Sequence, residues 1–150
     1  MKTKICSKCG EVKNLNKFVK SKGHKFGVHS ICKECKEKYL NEWRKNNYHR
    51  FWSARTLIQH KGKGFSVKIT KNELENIAEK TKYCLICDCK LDWKFGTGLN
   101  ANSPTLDRIN NQKTLTLNNV QIICSKCNRI KSNMSMNEFI EYCKMIYKKF

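Results

Sequence analysis

Residues 104–133 read PTLDRINNQKTLTLNNVQIICSKCNRIKSN, and the order of patterns in this stretch decides the fold. Thr105 to Ile109 and Leu117 to Ile123 read as two short strands around a polar turn at Asn110 to Lys113. A helix begins near Cys124 and runs to about Asn133. The pair Cys124 and Cys127 therefore lies at the strand–helix junction. Two residues between cysteines is the spacing at which one tight turn brings both thiolates to a tetrahedral Zn²⁺. A second pair from elsewhere in the chain completes the four ligands.

Three more such pairs occur, Cys6/Cys9, Cys32/Cys35 and Cys84/Cys87, so eight of the ten cysteines fit two structural zinc sites. Cys6, Cys9, Cys32 and Cys35 form the first, joined by a 22-residue loop that contains Gly23 and Gly27. Cys89 competes with Cys84 or Cys87 for metal. The competing arrangement is a secreted disulfide scaffold. Met1 to Gly10 has lysines but no apolar segment of a secretory signal, and no apolar run approaches the ~18 residues that span a bilayer. A reducing cytoplasm, where paired cysteines take metal, is the expected location.

The chain has 150 residues and a net charge of +19, from 31 Lys and Arg against 12 Asp and Glu. Such a field attracts polyanions, of which DNA and RNA are the commonest. Only 39% of residues are hydrophobic, so zinc is expected to supply stability that apolar burial does not.

Further out, Cys35 to Ile58 lacks proline and glycine and reads as helix, with Tyr39, Trp43, Phe51 and Trp52 on its apolar side. The stripe falters at Asn46-Asn47, which allows two helices. The aromatic residues serve either as core or as a platform for bases. Gly62 and Gly64 end the pattern, and Phe65, Val67 and Ile69 alternate as a short extended piece. Thr70 to Glu73 and Ser135 to Glu138 have the form of capping boxes, each opening a helix. Cys143 falls on the apolar face of the last helix and is expected to be a buried thiol. The fold class is α+β: residues 1–60 as an amino-terminal four-cysteine zinc unit with a long helical connector, residues 61–150 as the domain that carries the opening stretch.

Leu106-Asp107-Arg108, Asn118-Asn119-Val120 and Cys127-Asn128-Arg129-Ile130-Lys131-Ser132-Asn133 resemble the motif of the HNH, or ββα-metal, endonucleases. The resemblance is good over residues 84 to 140. The cysteine layout extends it toward small restriction enzymes of the PacI type and phage HNH proteins with an amino-terminal zinc knuckle. It implies a zinc-stapled ββα-metal fold that hydrolyses phosphodiester bonds of double-stranded DNA with Mg²⁺ or Mn²⁺. In that mapping Asp107 and Asn128 hold the catalytic ion, and Asn119 ties down the hairpin. Zinc on Cys84, Cys87, Cys124 and Cys127 fixes the start of the helix. Because one such site cuts one strand, the resemblance also implies a homodimer, with a monomeric nickase as the other arrangement.

The chain departs from the family at the base. Arg108 stands where a histidine is usual, and a guanidinium does not give up its proton in proteins, so Arg108 is expected to clamp phosphate instead. The tyrosine of the PacI subgroup is replaced by Thr114-Leu115. His60, another tyrosine or bulk water remain as candidates for the base. Two rivals stand beside the nuclease: a zinc-containing DNA-binding protein with a degenerate, non-cleaving site, and an RNA- or ribosome-binding zinc protein.

Overall fold

The structure is a computed structural model that describes residues 2–96, 98–112 and 114–150. Contacts divide it into two compact units, Met1–Asn46 and Asn47–Phe150. Each has its own core.

In the first unit, β1 (Thr3–Ile5) and β2 (Val12–Asn14) pair antiparallel, with Ile5 opposite Val12. The connecting turn is the Cys6–Cys9 knuckle. It is closed by Cys6 N–H on the Glu11 carbonyl at 2.9 Å and Gly10 N–H on the Cys6 carbonyl at 2.9 Å. Gly10 adopts φ +74°, a conformation that a Cβ disfavours. A second hairpin pairs β3 (Phe18–Lys20) with β4 (Val28–Cys32), setting Phe18 opposite Cys32. β4 runs straight into α1 (Lys33–Asn46), which puts Cys35 in its first turn. The buried core is Cys6, Phe18, Val28 and Cys32, so half of it is cysteine sulfur. Sequence patterning predicts only a loop here, because three-residue strands are too short to display alternation.

The second unit begins with α2 (Tyr48–Gly62), so the faltering stripe at Asn46-Asn47 marks a true break. The division falls there and not at the expected 60/61. The reason is packing: Trp52 and Leu57 of α2 belong to the same core as Leu74, Leu106 and Ile122. The aromatic stripe is split accordingly, with Trp52 buried and Tyr39 62% exposed. Phe65 to Ile69 forms no strand; Val67 makes a single bridge to Leu115. α3 (Lys71–Lys80) opens with the predicted capping box, Thr70 Oγ accepting from Glu73 N–H and Glu73 reaching back to Thr70 N–H. Its Leu74 and Ala78 are fully buried.

β5 (Pro104–Arg108) and β6 (Val120–Cys124) form the predicted hairpin, in a register that sets Asp107 opposite Gln121. β6 is shorter than expected, since Leu117–Asn119 is a single 3₁₀ turn. α4 (Ser125–Lys131) follows without a loop, its first turn capped by the Cys124 sulfur, which accepts from Cys127 N–H. α5 (Met136–Lys149) starts at the second predicted capping box. Only Phe139 of this helix is buried. Cys143, expected inside, is exposed, because the apolar side of α5 beyond its first turns faces no core among the described residues.

Candidate metal clusters and the hairpin site

The sulfurs of Cys6, Cys9, Cys32 and Cys35 lie within 4.8 Å of one another, and so do those of Cys84, Cys87, Cys89 and Cys124. Four thiolates at ~2.3 Å from a tetrahedral zinc stand about 3.8 Å apart. The Cys87–Cys124 sulfur separation is 3.8 Å. Both sets therefore suit zinc by donor type and spacing. The second differs from expectation by including Cys89, whereas Cys127 stands beside it, its backbone N–H donating to the Cys124 sulfur at 3.3 Å.

Electrostatics in the clusters follow from crowding. Burial raises the Cys6 thiol, but backbone N–H groups of Cys32, Cys9 and Lys8 outweigh it and bring it down to about 6. The Cys89 N–H lowers Cys87 to about 6. The hydrogen bond to Cys32 and burial push Cys35 up to about 12, and burial with the neighbouring Cys87 does the same for Cys89. One thiolate forms easily in each cluster and opposes the next, and a bound dication removes that opposition.

Asp107 projects from the penultimate position of β5 and is 5% exposed. Its Oδ2 accepts from Gln121 Nε2 at 2.8 Å, the partner that the strand register places opposite. Its Oδ1 accepts from Lys131 Nζ at 3.0 Å. Lys131, at the end of α4, is completely buried and also donates to the Arg108 carbonyl at 3.0 Å. The carboxylate thus faces α4, but the contact it makes there is with Lys131 and not with Asn128. An ionised carboxylate has about four acceptor positions over two oxygens, and hydrogen bonds fill two here. A divalent ion fits as a single-oxygen ligand of Asp107 only beside that ammonium, and the proximity costs Coulomb energy.

Asn119 occupies the end of the hairpin turn. Its Oδ1 accepts from Asn110 N–H at 2.9 Å, and its Nδ2 donates to the carbonyls of Asn110 at 3.0 Å and Thr114 at 3.1 Å. The turn between β5 and β6 is thereby closed by one buried side chain. Arg108 lies over Phe65, its Cζ 4.4 Å from the ring centroid, and its Nη1 donates to the Asn111 carbonyl. The Phe65 ring also packs against His60, at 5.8 Å between centroids.

Asn128 opens instead into a groove of about 730 Å³, which it lines together with Thr105 of β5 and Arg55, Gln59, His60 and Lys63. His60 Nδ1 is 2.8 Å from the Thr56 carbonyl. A carbonyl only accepts, so Nδ1 carries the proton and Nε2 of the neutral ring keeps a lone pair. Sequence reasoning misses Lys131 and Gln121. The register of the hairpin points to Gln121. The spacing Asn128 to Lys131, three residues on one helix face, is the one signal for Lys131.

No protein-family model matches the chain. Over 84 residues, or 56% of its length, it is 34% identical to an uncharacterised protein of Acanthamoeba polyphaga mimivirus. The chain spans only 14% of that much longer protein. Among solved structures it is similar to the rare-cutting HNH restriction endonuclease PacI, with a TM-score of 0.43 and 18% identity. The likeness covers 96% of this chain and 93% of that one. At those values it is a distant likeness and carries no weight on activity.

Proposed function

We propose that this protein is a DNA endonuclease of the ββα-metal kind, which binds double-stranded DNA through its cationic surface and hydrolyses phosphodiester bonds with Mg²⁺ or Mn²⁺. The observation that supports it most is Asp107, a buried carboxylate near the turn end of the hairpin and turned toward a helix whose first turn is braced by a cysteine cluster. Asp107 would hold the ion, joined by Asn128 once its amide turns from the groove toward the hairpin; the ion supplies charge neutralisation at phosphorus and at the leaving oxygen. Gln121 and Lys131 hold the carboxylate in one orientation. Arg55 and Lys63 offer positive charge to the backbone of DNA along the groove. His60, with a lone pair on Nε2 in the same groove, is the candidate to accept a proton from water. Cutting both strands requires two copies of the site, hence a homodimer on the DNA. No helix among the described residues is long and apolar enough to cross a membrane.

Lys131 favours a second reading. A buried ammonium already neutralises Asp107, as in a hairpin retained for scaffold and DNA binding without hydrolysis. Purified protein incubated with supercoiled plasmid separates the two. The nuclease gives nicked or linear DNA only with Mg²⁺ or Mn²⁺, and Asp107→Ala lowers the rate at least ~100-fold with zinc content unchanged. The scaffold retards DNA in a gel, in a steeply salt-dependent way, and leaves it intact. Wild-type cleavage by Asp107→Ala removes Asp107 from the chemistry.

A further inference from the structure

Five cysteines, not four, gather at the second cluster. The sulfurs of Cys84, Cys87, Cys89 and Cys124 are mutually within 4.8 Å, and Cys127 adjoins them, its backbone N–H donating to the Cys124 sulfur at 3.3 Å. Structural zinc takes four ligands. One sulfur is therefore always left over, and the backbone indicates which ones can exchange.

Two sulfurs are each held by a backbone N–H. Cys84 accepts from Cys124 at 3.3 Å and Cys124 accepts from Cys127 at 3.3 Å, while the Cys89 N–H holds the Cys87 thiol low. Such bonds aim a thiolate and stabilise its charge. Cys127 is the donor of one of them, and the Cys89 carbonyl accepts from Cys84 N–H. Their backbones are pinned to the cluster whatever their own sulfurs do, so either side chain reaches the metal by rotation about its own bonds. The two come from opposite sides. Cys89 closes the knuckle, its carbonyl accepting from Cys84 N–H at 2.9 Å, while Cys127 lies in the first turn of α4.

We propose that the second cluster is a five-thiol zinc site in which Cys84, Cys87 and Cys124 are permanent ligands and Cys89 and Cys127 share the fourth position. When Cys89 holds the metal, α4 is tied to it through Cys124 alone. When Cys127 holds it, the residue immediately before Asn128 becomes a ligand. The exchange thus adjusts the first turn of α4 without emptying the site.

Zinc content per chain, measured by atomic emission on purified variants, tests this without reference to activity. Wild type, Cys89→Ser and Cys127→Ser are each expected to retain both zinc ions, one per cluster. Cys84→Ser and the double variant Cys89→Ser/Cys127→Ser are expected to retain only the ion of the first unit. A loss of zinc in either single variant overturns the sharing, and so does a double variant that keeps both ions. Loading the unaltered protein with NMR-active cadmium avoids any folding defect of the variants. Scalar coupling of the second metal to β protons of all five cysteines is expected. Coupling to four alone overturns the proposal.

Discussion

Cys6 to Glu11 and Cys84 to Cys89 trace the same turn with different residues. In each, the first cysteine donates to the carbonyl five residues on at 2.9 Å, and the residue after the second cysteine donates back to the first. That residue is Gly10 at φ +74° in one and Asp88 at φ +54° in the other. The sixth position is Glu11, paired with Lys13 at 3.0 Å, in the first turn. In the second it is Cys89, a thiol inside the cluster. One backbone design thus serves a minimal site and an over-furnished one. The surroundings differ as well. Cysteine makes up half of the first unit's core, while the second turn is attached to a core of Leu74, Leu106, Leu115, Ile122 and their neighbours.

Removing metal is the largest test of that contrast. Structural zinc contributes on the order of 10–16 kcal/mol in small domains that fold around it. With a strong chelator, the first unit is expected to lose all amide protection from hydrogen exchange. Amides of α2 and α3 in the second unit should retain protection from their own apolar packing. Equal loss in both units would falsify the distinction.

Next in size is Lys131→Met, which leaves the Asp107 carboxylate buried without its cation. A destabilisation of about 3–5 kcal/mol is expected in urea titration, with zinc content preserved. Pairing it with Asp107→Leu should recover most of the loss, because removing both charges also removes their desolvation cost. If the single variant unfolds no more easily than wild type, the ion pair is not part of what holds the second unit together.

The smallest effects come from the turns themselves. A Cβ at Gly10 meets nothing within 4 Å, so Gly10→Ala should cost only the left-handed strain, about 1–2 kcal/mol. Asp88→Gly should instead stabilise by about 0.5 kcal/mol, since aspartate tolerates this conformation at a small penalty. Opposite signs in thermal unfolding of the two variants sharpen the match between the turns. The same sign in both breaks it.

Local signals are legible in the residue order alone. The C-x-x-C spacing, the two capping boxes and the strand–turn–strand–helix order are each encoded within a few neighbouring residues, and all are present. Features that depend on distant packing are not legible in this way. Three-residue strands such as β1 and β3 carry too little pattern, and a lysine reads as surface until a helix end delivers it to Asp107. Cys143 defies its pattern for the converse reason. An apolar helical face predicts burial only if another element comes to cover it.

That uncovered face has a colloidal consequence. Ile140, Met145, Ile146, Tyr147 and Phe150 are all exposed on or just past α5, on a molecule of net charge +19. Mutual repulsion keeps such sticky stripes from meeting in dilute buffer, but at ~0.15 M salt its reach shrinks to roughly 8 Å. Raising the salt concentration is accordingly expected to lower the solubility of this protein by uncovering the attraction between those stripes.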